Sequence, residues 1–216
     1  MPPILLNNSF DKAIVTYMRL ANIRHAVKRG IFHAVAGLFV ILVLYFLPYI
    51  TFVVTLAIVT GIFLSFELVR LRIDAINKWF ISWFGFLMRD EEKNKLTGSS
   101  YSLLGFLITV LAFDRDIAIL AILFVSLGDP VATVVGIWKG RIVLWGRSIE
   151  GNIACFVVCL TMGLLATKIL DNLTFPMIVI GAIFATVFQA VPQKVNDNLT
   201  IPIGSALAML VTKIIT

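Results

Sequence analysis

Long apolar blocks alternate along the chain with short polar segments, and the polar segments are mostly basic. From Ile31 to Phe66 there is no Lys, Arg, Asp or Glu. As one helix this stretch would run roughly 54 Å at about 1.5 Å per residue, well beyond the ~30 Å hydrocarbon core of a bilayer. Pro48 stands in its middle, which predicts two spans, 31–47 and 50–66, joined by a tight turn. Further blocks at 99–113, 117–136, 152–168, 175–191 and 199–215 raise the expectation to about seven transmembrane helices. Segment 74–88 has another character. Ile76, Trp79, Phe80, Trp83, Phe84 and Leu87 share one helical stripe, opposite Asp74, Asn77 and Lys78. That is the pattern of an amphipathic helix lying in the membrane interface with its tryptophans at headgroup depth. Residues 10–29 are also amphipathic and strongly basic. The expected fold is therefore an all-α integral membrane protein: a basic N-terminal segment, 1–30, followed by a single polytopic membrane domain, 31–216.

Composition agrees with the pattern. The chain is 60% hydrophobic and 14% charged over 216 residues, with a mean hydropathy of +1.00; a soluble domain is about half apolar and about a quarter charged. A pI near 9.6 in so apolar a chain points to membrane lipids and anionic substrates, and not to nucleic acid. With the N-terminus inside and seven spans, fifteen of the eighteen Lys and Arg residues fall on the cytoplasmic side, and Arg115, Lys168 and Lys213 fall outside. Such a split follows the positive-inside rule and supports the span count. Cys155 and Cys159 lie at helical spacing in one apolar run and read as packing residues. The start, Met1 to Asp11, lacks the charged region and apolar stretch of a cleavable signal peptide.

The polar residues within this frame carry the candidate chemistry. Gly128-Asp129-Pro130 interrupts an apolar run. A carboxylate and a Pro at membrane depth are costly unless they line a polar cavity; the plainer reading is a kinked helix leading into a basic loop. In the following stretch, read as a loop over 126–151, Gly136 and Gly140 allow backbone to approach a phosphate. Lys139, Arg141 and Arg147 carry cations, and Ser148 precedes an apolar helix whose first amides favour anions. Asp197 and Asn198 open the last block and are read either as a metal or base site or as a helix start. The near-identical hexapeptide Asp171-Asn172-Leu173-Thr174-Phe175-Pro176 provides a comparison on the opposite face. His33, four residues after Arg29, and Glu67, three before Arg70, are read as substrate contacts or structural pairs. Asp90-Glu91-Glu92 reads as a solvated loop. Neither a G-x-x-x-x-G-K-[ST] phosphate loop nor an H-R-D kinase loop occurs, and no Cys/His set has zinc spacing.

Taken in order, Lys28-Arg29-x-x-x-His33, Glu67-x-x-Arg70, Leu96-Thr97-Gly98-x-x-Tyr101, Gly128-Asp129-Pro130-x-Ala132, Gly136-x-x-x-Gly140-Arg141, Arg147-Ser148-x-Glu150-Gly151 and Asp197-Asn198-x-x-x-Pro202 resemble the polyprenol and diacylglycerol kinase family. That family comprises dolichol kinase, phytol kinase and the CTP-dependent diacylglycerol kinase, and is related to the phosphatidate cytidylyltransferases. The resemblance covers roughly residues 28–215. It implies transfer of a phosphoryl group from CTP, with Mg²⁺, to a lipid alcohol: an isoprenoid such as dolichol, a shorter prenol or phytol first, diacylglycerol second. It implies Asp129 and Asp197 as metal ligands or as activators of the hydroxyl. Glu150 would bind metal or orient a neighbour. Gly136, Lys139, Gly140, Arg141, Arg147, Ser148 and Gly151 would hold the nucleotide. Two positions depart from the family: Arg147 stands where Lys is usual, and Gln189 where many members carry Glu. The His-Gly-Gly…Asp-Arg signature of the cytidylyltransferases is absent, which favours phosphoryl over nucleotidyl transfer. A cytidylyltransferase making a CDP-lipid and a non-enzymatic small-solute transporter are the competing readings.

Overall fold

The structure, a computed structural model, describes residues 9–191 and 195–216, with the side chains at 9–16, 18 and 19 excepted. Lys12, Arg19 and Lys194, counted above among the cytoplasmic cations, and the start of the leader reading at 1–8 lie outside what is described. Eight α-helices follow one another: α1 Ser9–Phe46, α2 Tyr49–Arg72, α3 Asp74–Phe84, α4 Gly98–Ala112, α5 Arg115–Lys139, α6 Ile149–Ala166, α7 Phe175–Ala190 and α8 Asp197–Ile215. Between α5 and α6 stands a small antiparallel hairpin, β1 Val143–Leu144 and β2 Arg147–Ser148. Pro48 separates α1 from α2 as the sequence predicts, because the residue before a proline is driven out of helical geometry. α1 itself runs unbroken through residue 30.

Among the described residues five helices are long and apolar enough to cross a membrane: residues 20–46 of α1, then α2, α5, α6 and α8. α4 and α7 are apolar but have only 15 and 16 residues, roughly 23 Å against a hydrocarbon core of ~30 Å. All seven nevertheless alternate in direction, as the contacts at the two ends show. At one end Arg115 donates to the carbonyls of Leu44 and Tyr45, the Tyr49 hydroxyl donates to Val110, Lys213 pairs with Asp114, and the Asn172 amide group donates to Asp116. At the other end Arg147 pairs with Asp197, and the Asn198 side chain donates to the Gly98 carbonyl.

α5 is the axis of the bundle. Every residue from Ile117 to Ser126 is buried, as expected of a helix that is apolar on all sides. Its neighbours approach it through small residues, the usual device where lipid supplies no hydrophobic drive between helices. A methyl added at Gly30 would stand 3.0 Å from Pro130, and one at Gly128 would stand 2.8 Å from Cys159. Cys155 and Cys159 are buried and free, as packing residues. α5 also corrects the sequence reading at Gly128-Asp129-Pro130. The helix continues through Pro130 to Lys139, so residues 126–139 are helix and not loop. Pro130 costs one hydrogen bond to the Ser126 carbonyl without breaking the helix, because α1 and α6 grip α5 on either side.

The segment expected to lie in the interface is helical over Asp74–Phe84 and ends in a short 3-10 turn over Gly85–Leu87. In α3, Trp79 and Trp83 are 54% and 64% exposed, whereas Phe80 turns inward and stacks with Phe66 and Phe84.

Candidate active site at one end of the bundle

A buried ion pair shapes this end. Glu67 and Arg70 are both 0% exposed. Arg70 donates to both carboxylate oxygens of Glu67, at 2.8 and 3.1 Å, and to Asn77 Oδ1 at 2.8 Å. It also reaches the carbonyls of Glu92 and Lys95 at 3.2 and 2.9 Å, and its guanidinium covers the Phe80 ring. Glu67 accepts in addition from the Thr97 amide at 2.9 Å. Both partners are thus saturated, and they clamp residues 92–97 between α2, α3 and α4. Sequence reading misplaced Glu92. It is buried, not solvated, and accepts from the Arg89 amide at 3.1 Å. Asp90 is exposed as expected, and the Lys93 ammonium, 2.8 Å away, holds its carboxyl below the usual carboxylate range.

Beneath the clamp lies a cavity. Arg29, His33, Arg89, Glu92, Asp129, Thr133 and Asn198 line it together with the apolar Phe32, Phe63, Phe80, Phe84, Leu87 and Met88. Asp129 is only 5% exposed, and its Oδ1 has no hydrogen-bond partner among the described residues. The His33 ring hydrogen-bonds to the backbone of Val125, which leaves its buried Nε2 unpartnered. Thr133 Oγ1, in the same cavity, is also unpartnered among the described residues; buried polar atoms are nearly always satisfied, so three orphans in one cavity mark a place built for something else. Arg29, His33 and Asp197 all lie within electrostatic range of Asp129.

A second depression adjoins the first and shares Thr133 with it. The β-hairpin forms its outer wall. Trp145 and Gly146 make a two-residue turn with φ of 53° and 84°, the doubly left-handed geometry that matches the twist of a tight hairpin. Glu150 fastens the hairpin by accepting from the amides of Arg141 and Ile142 at 2.9 and 3.4 Å. Ser148 caps α6 through the Gly151 amide at 3.0 Å. Its Oγ lies over the backbones of Gly136 and Gly140, where an added methyl would stand 2.9 and 3.0 Å away. Gly136, Gly140, Arg147, Ser148, Asn152 and Gln189 therefore share one cradle. Asn152 Oδ1 and Gln189 Oε1 are buried in it without partners. Gly151 packs with no room for a side chain, an added methyl standing 2.5 Å from the Ala132 carbonyl.

The structure thus gathers Asp129, His33 and Asn198 in the cavity, and Gly136, Gly140, Arg147 and Ser148 in the cradle. Asp197 lies beside the cradle, ion-paired with Arg147. Lys139 and Arg141 line neither: the Lys139 ammonium lies over Trp138, and Arg141 is exposed. Arg89, Thr133 and Asn152 belong to the site but were not singled out from sequence; as single polar residues in otherwise apolar or loop segments they leave no periodic signal. The duplicated hexapeptides differ in structure. Asp197 is the first residue of α8, capped by Asn196, whereas α7 begins only at Phe175, after Thr174. The shared hexapeptide therefore does not give Asp171 and Asp197 the same place at a helix start. No group of three or more His, Cys, Asp or Glu side chains suited to a metal occurs among the described residues.

Comparison with known proteins adds a lineage to this geometry. An uncharacterized protein of Rickettsia prowazekii is 34% identical over 187 residues, 84% of this chain and 91% of its own length. The chain belongs to one family with that rickettsial protein. More distant relatives are CTP-dependent diacylglycerol kinases. That of Eremothecium gossypii is 30% identical over 140 residues, 62% of this chain and 44% of the kinase. That of Saccharomyces cerevisiae is 27% identical over 140 residues, 62% of this chain and 48% of the kinase. The chain spans somewhat less than half the length of either kinase. No family model matches the chain, and no solved structure does.

Proposed function

We propose that the chain is a CTP-dependent lipid kinase that transfers the γ-phosphoryl group to the hydroxyl of a membrane lipid alcohol. The observation that carries this reading is Asp129: a buried carboxylate with an unpartnered oxygen, between an amphipathic cavity and a cradle of glycines, Ser148 and Arg147. Relatives named as CTP-dependent diacylglycerol kinases support diacylglycerol as acceptor. An isoprenoid alcohol is the second reading, favoured by the motif set shared with dolichol and phytol kinases.

In the reaction the lipid oxygen attacks the γ-phosphorus, the bond to the β-phosphate oxygen breaks, and CDP leaves. Such transfer depends on positioning and charge neutralisation more than on covalent protein chemistry. Gly136 and Gly140 leave space for the phosphates beside Ser148, and Arg147 meets their charge. His33 Nε2, unpartnered within the cavity, takes the hydroxyl proton. Mg²⁺ fits the donor set: it is commonly held by one or two carboxylates together with substrate phosphates, and Asp129 and Asp197 are the carboxylates at hand. When bound it would neutralise charge on the transferring group.

The nucleotide comes from the cytoplasm, so this end of the bundle is assigned to the cytoplasmic face. A cysteine replacing the exposed Glu91 should react with an impermeant reagent only from the cytoplasmic side, and one replacing Asp171 only from the other. Reaction of both from one side would contradict the orientation.

Asp197→Asn should lower turnover by about tenfold or more, a loss of about 1.4 kcal/mol in transition-state stabilisation. Asp171→Asn, at the opposite end, should leave it unchanged. Equal losses in a steady-state assay would remove Asp197 from the site. The reading as a whole is tested by incubating purified protein with CTP or ATP and a panel of lipid alcohols. Phosphorylation of diacylglycerol from CTP is expected. Phosphorylation of only an isoprenoid alcohol would move the acceptor to the second reading, and no product with any alcohol would defeat the kinase reading.

A further inference from the structure

We propose that the cleft between α1 and α2, beneath α3, is the lateral port through which the acceptor lipid enters from the bilayer, and that its aromatic wall holds the acyl or prenyl chain next to the reacting hydroxyl. The proposal rests on the kinase reading and adds to it the place and route of the lipid. α1 leans on α5, with Gly30 against Pro130 and Gly37 against Ser126. α2 leans on α4, held by the Tyr49 hydroxyl at Val110 and by the buried Phe52 and Leu56. With different partners, α1 and α2 make little contact with each other, and the cavity containing Asp129 opens between them.

The lining of that opening changes from apolar to polar. Phe32 on α1 and Phe63 on α2 flank the mouth, and Phe80 and Phe84 of α3 roof it. Phe32 and Phe84 are 47% and 44% exposed, so the aromatic wall continues from the interior to the lipid-facing surface. Inward lie Arg29, His33 and Asp129. An amphiphile with a small hydroxylated head and an apolar tail matches this lining. The depth is also right. Trp79 and Trp83, on the outer face of the same short helix, are exposed aromatics of the kind that settle at headgroup level, which is where a lipid alcohol carries its hydroxyl. A second apolar groove, between α1, α5 and α6, is lined by residues that include Leu38, Leu42, Leu123 and Leu165, with no Asp, Glu, His, Lys or Arg among them. It is the built-in control for lipid contact of no particular kind.

The test uses the whole protein in nanodiscs with a diacylglycerol bearing a diazirine in its acyl chain. After irradiation, adducts are expected on Phe32, Phe63, Phe80 or Phe84. Unlabelled diacylglycerol should suppress them and phosphatidylcholine should not, while adducts in the leucine groove should respond to neither. Competed adducts confined to other surfaces, or uncompeted adducts at the phenylalanines, would overturn the port. In parallel, Phe63→Trp, which narrows the mouth, should raise KM for a long-chain diacylglycerol by about fivefold or more, with KM for CTP and for a water-soluble short-chain diacylglycerol unchanged. A rise in the KM for CTP as well would count against a lipid-specific role. If the parent protein phosphorylates no lipid alcohol, the kinase reading fails, and the cross-linking result still decides whether the port exists.

Discussion

Replacing Asp129 by Asn should abolish phosphoryl transfer and, at the same time, leave the protein more resistant to heat. The two effects share one cause. Asp129 is buried, and its Oδ1 has no partner among the described residues. A buried, incompletely satisfied carboxylate destabilises the fold, and Asn removes the charge while keeping the size and a carbonyl oxygen. Pro130 and the helix around it are untouched. The same charge is what would draw Mg²⁺ and the phosphates into the site, and loss of a direct metal contact withdraws several kcal/mol of transition-state stabilisation. Turnover should therefore fall well below about a tenth of the parent value, while the melting temperature in detergent holds or rises. Near-normal turnover would mean that Gly128-Asp129-Pro130 is only a packing feature. A sharp drop in melting temperature would mean that Asp129 has a structural partner.

Arg70→Leu should have the opposite profile: the protein loses stability first, and activity as a consequence. Arg70 is the shared donor for Glu67, Asn77 and the carbonyls of Glu92 and Lys95. Its removal leaves the fully buried Glu67 carboxylate without its cation, and breaking one side of a buried pair costs about 3–5 kcal/mol. Replacing both members by apolar residues often restores stability in such pairs. Here Glu67→Leu with Arg70→Leu should recover only part of the loss, because the carbonyls of residues 92 and 95 and the Thr97 amide would still lack partners. Arg70→Lys should also fall short, since an ammonium cannot reproduce the fork that spans Glu67. Thermal melts of the three variants check the order. Full recovery in the double variant would show that the clamp on residues 92–97 carries no energy of its own.

Much of the fold could be read from sequence because the bilayer imposes simple rules. A 36-residue uncharged stretch had to turn, and Pro48 marked where. The aromatic stripe at 74–88 marked a helix, and α3 forms over Asp74–Phe84 with Trp79 and Trp83 exposed. The misreadings have physical causes too. Pro130 lies inside a continuous helix because α1 and α6 pack on both sides of it, a tertiary effect that local propensity does not contain. Glu92 resembles its solvated neighbour Asp90 in sequence, and only the distant Arg70 draws its segment inward. Lys139 and Arg141 looked equivalent to Arg147 as phosphate ligands. The hairpin turn at Trp145-Gly146 instead points Arg147 to Asp197 and leaves the other two on the outside. Asp171 and Asp197 share a hexapeptide but not a helix position, because α8 has an Asn196 cap and α7 begins four residues later in its copy of the motif than α8 does in the other.

The most direct test of the account supplies the purified protein with diacylglycerol, Mg²⁺ and CTP labelled in either the γ- or the α-phosphate, and follows the label into the lipid fraction. Phosphoryl transfer predicts phosphatidic acid labelled from γ-labelled CTP and an unlabelled lipid fraction from α-labelled CTP. Label entering lipid only from α-labelled CTP would make the reaction nucleotidyl transfer and contradict the account.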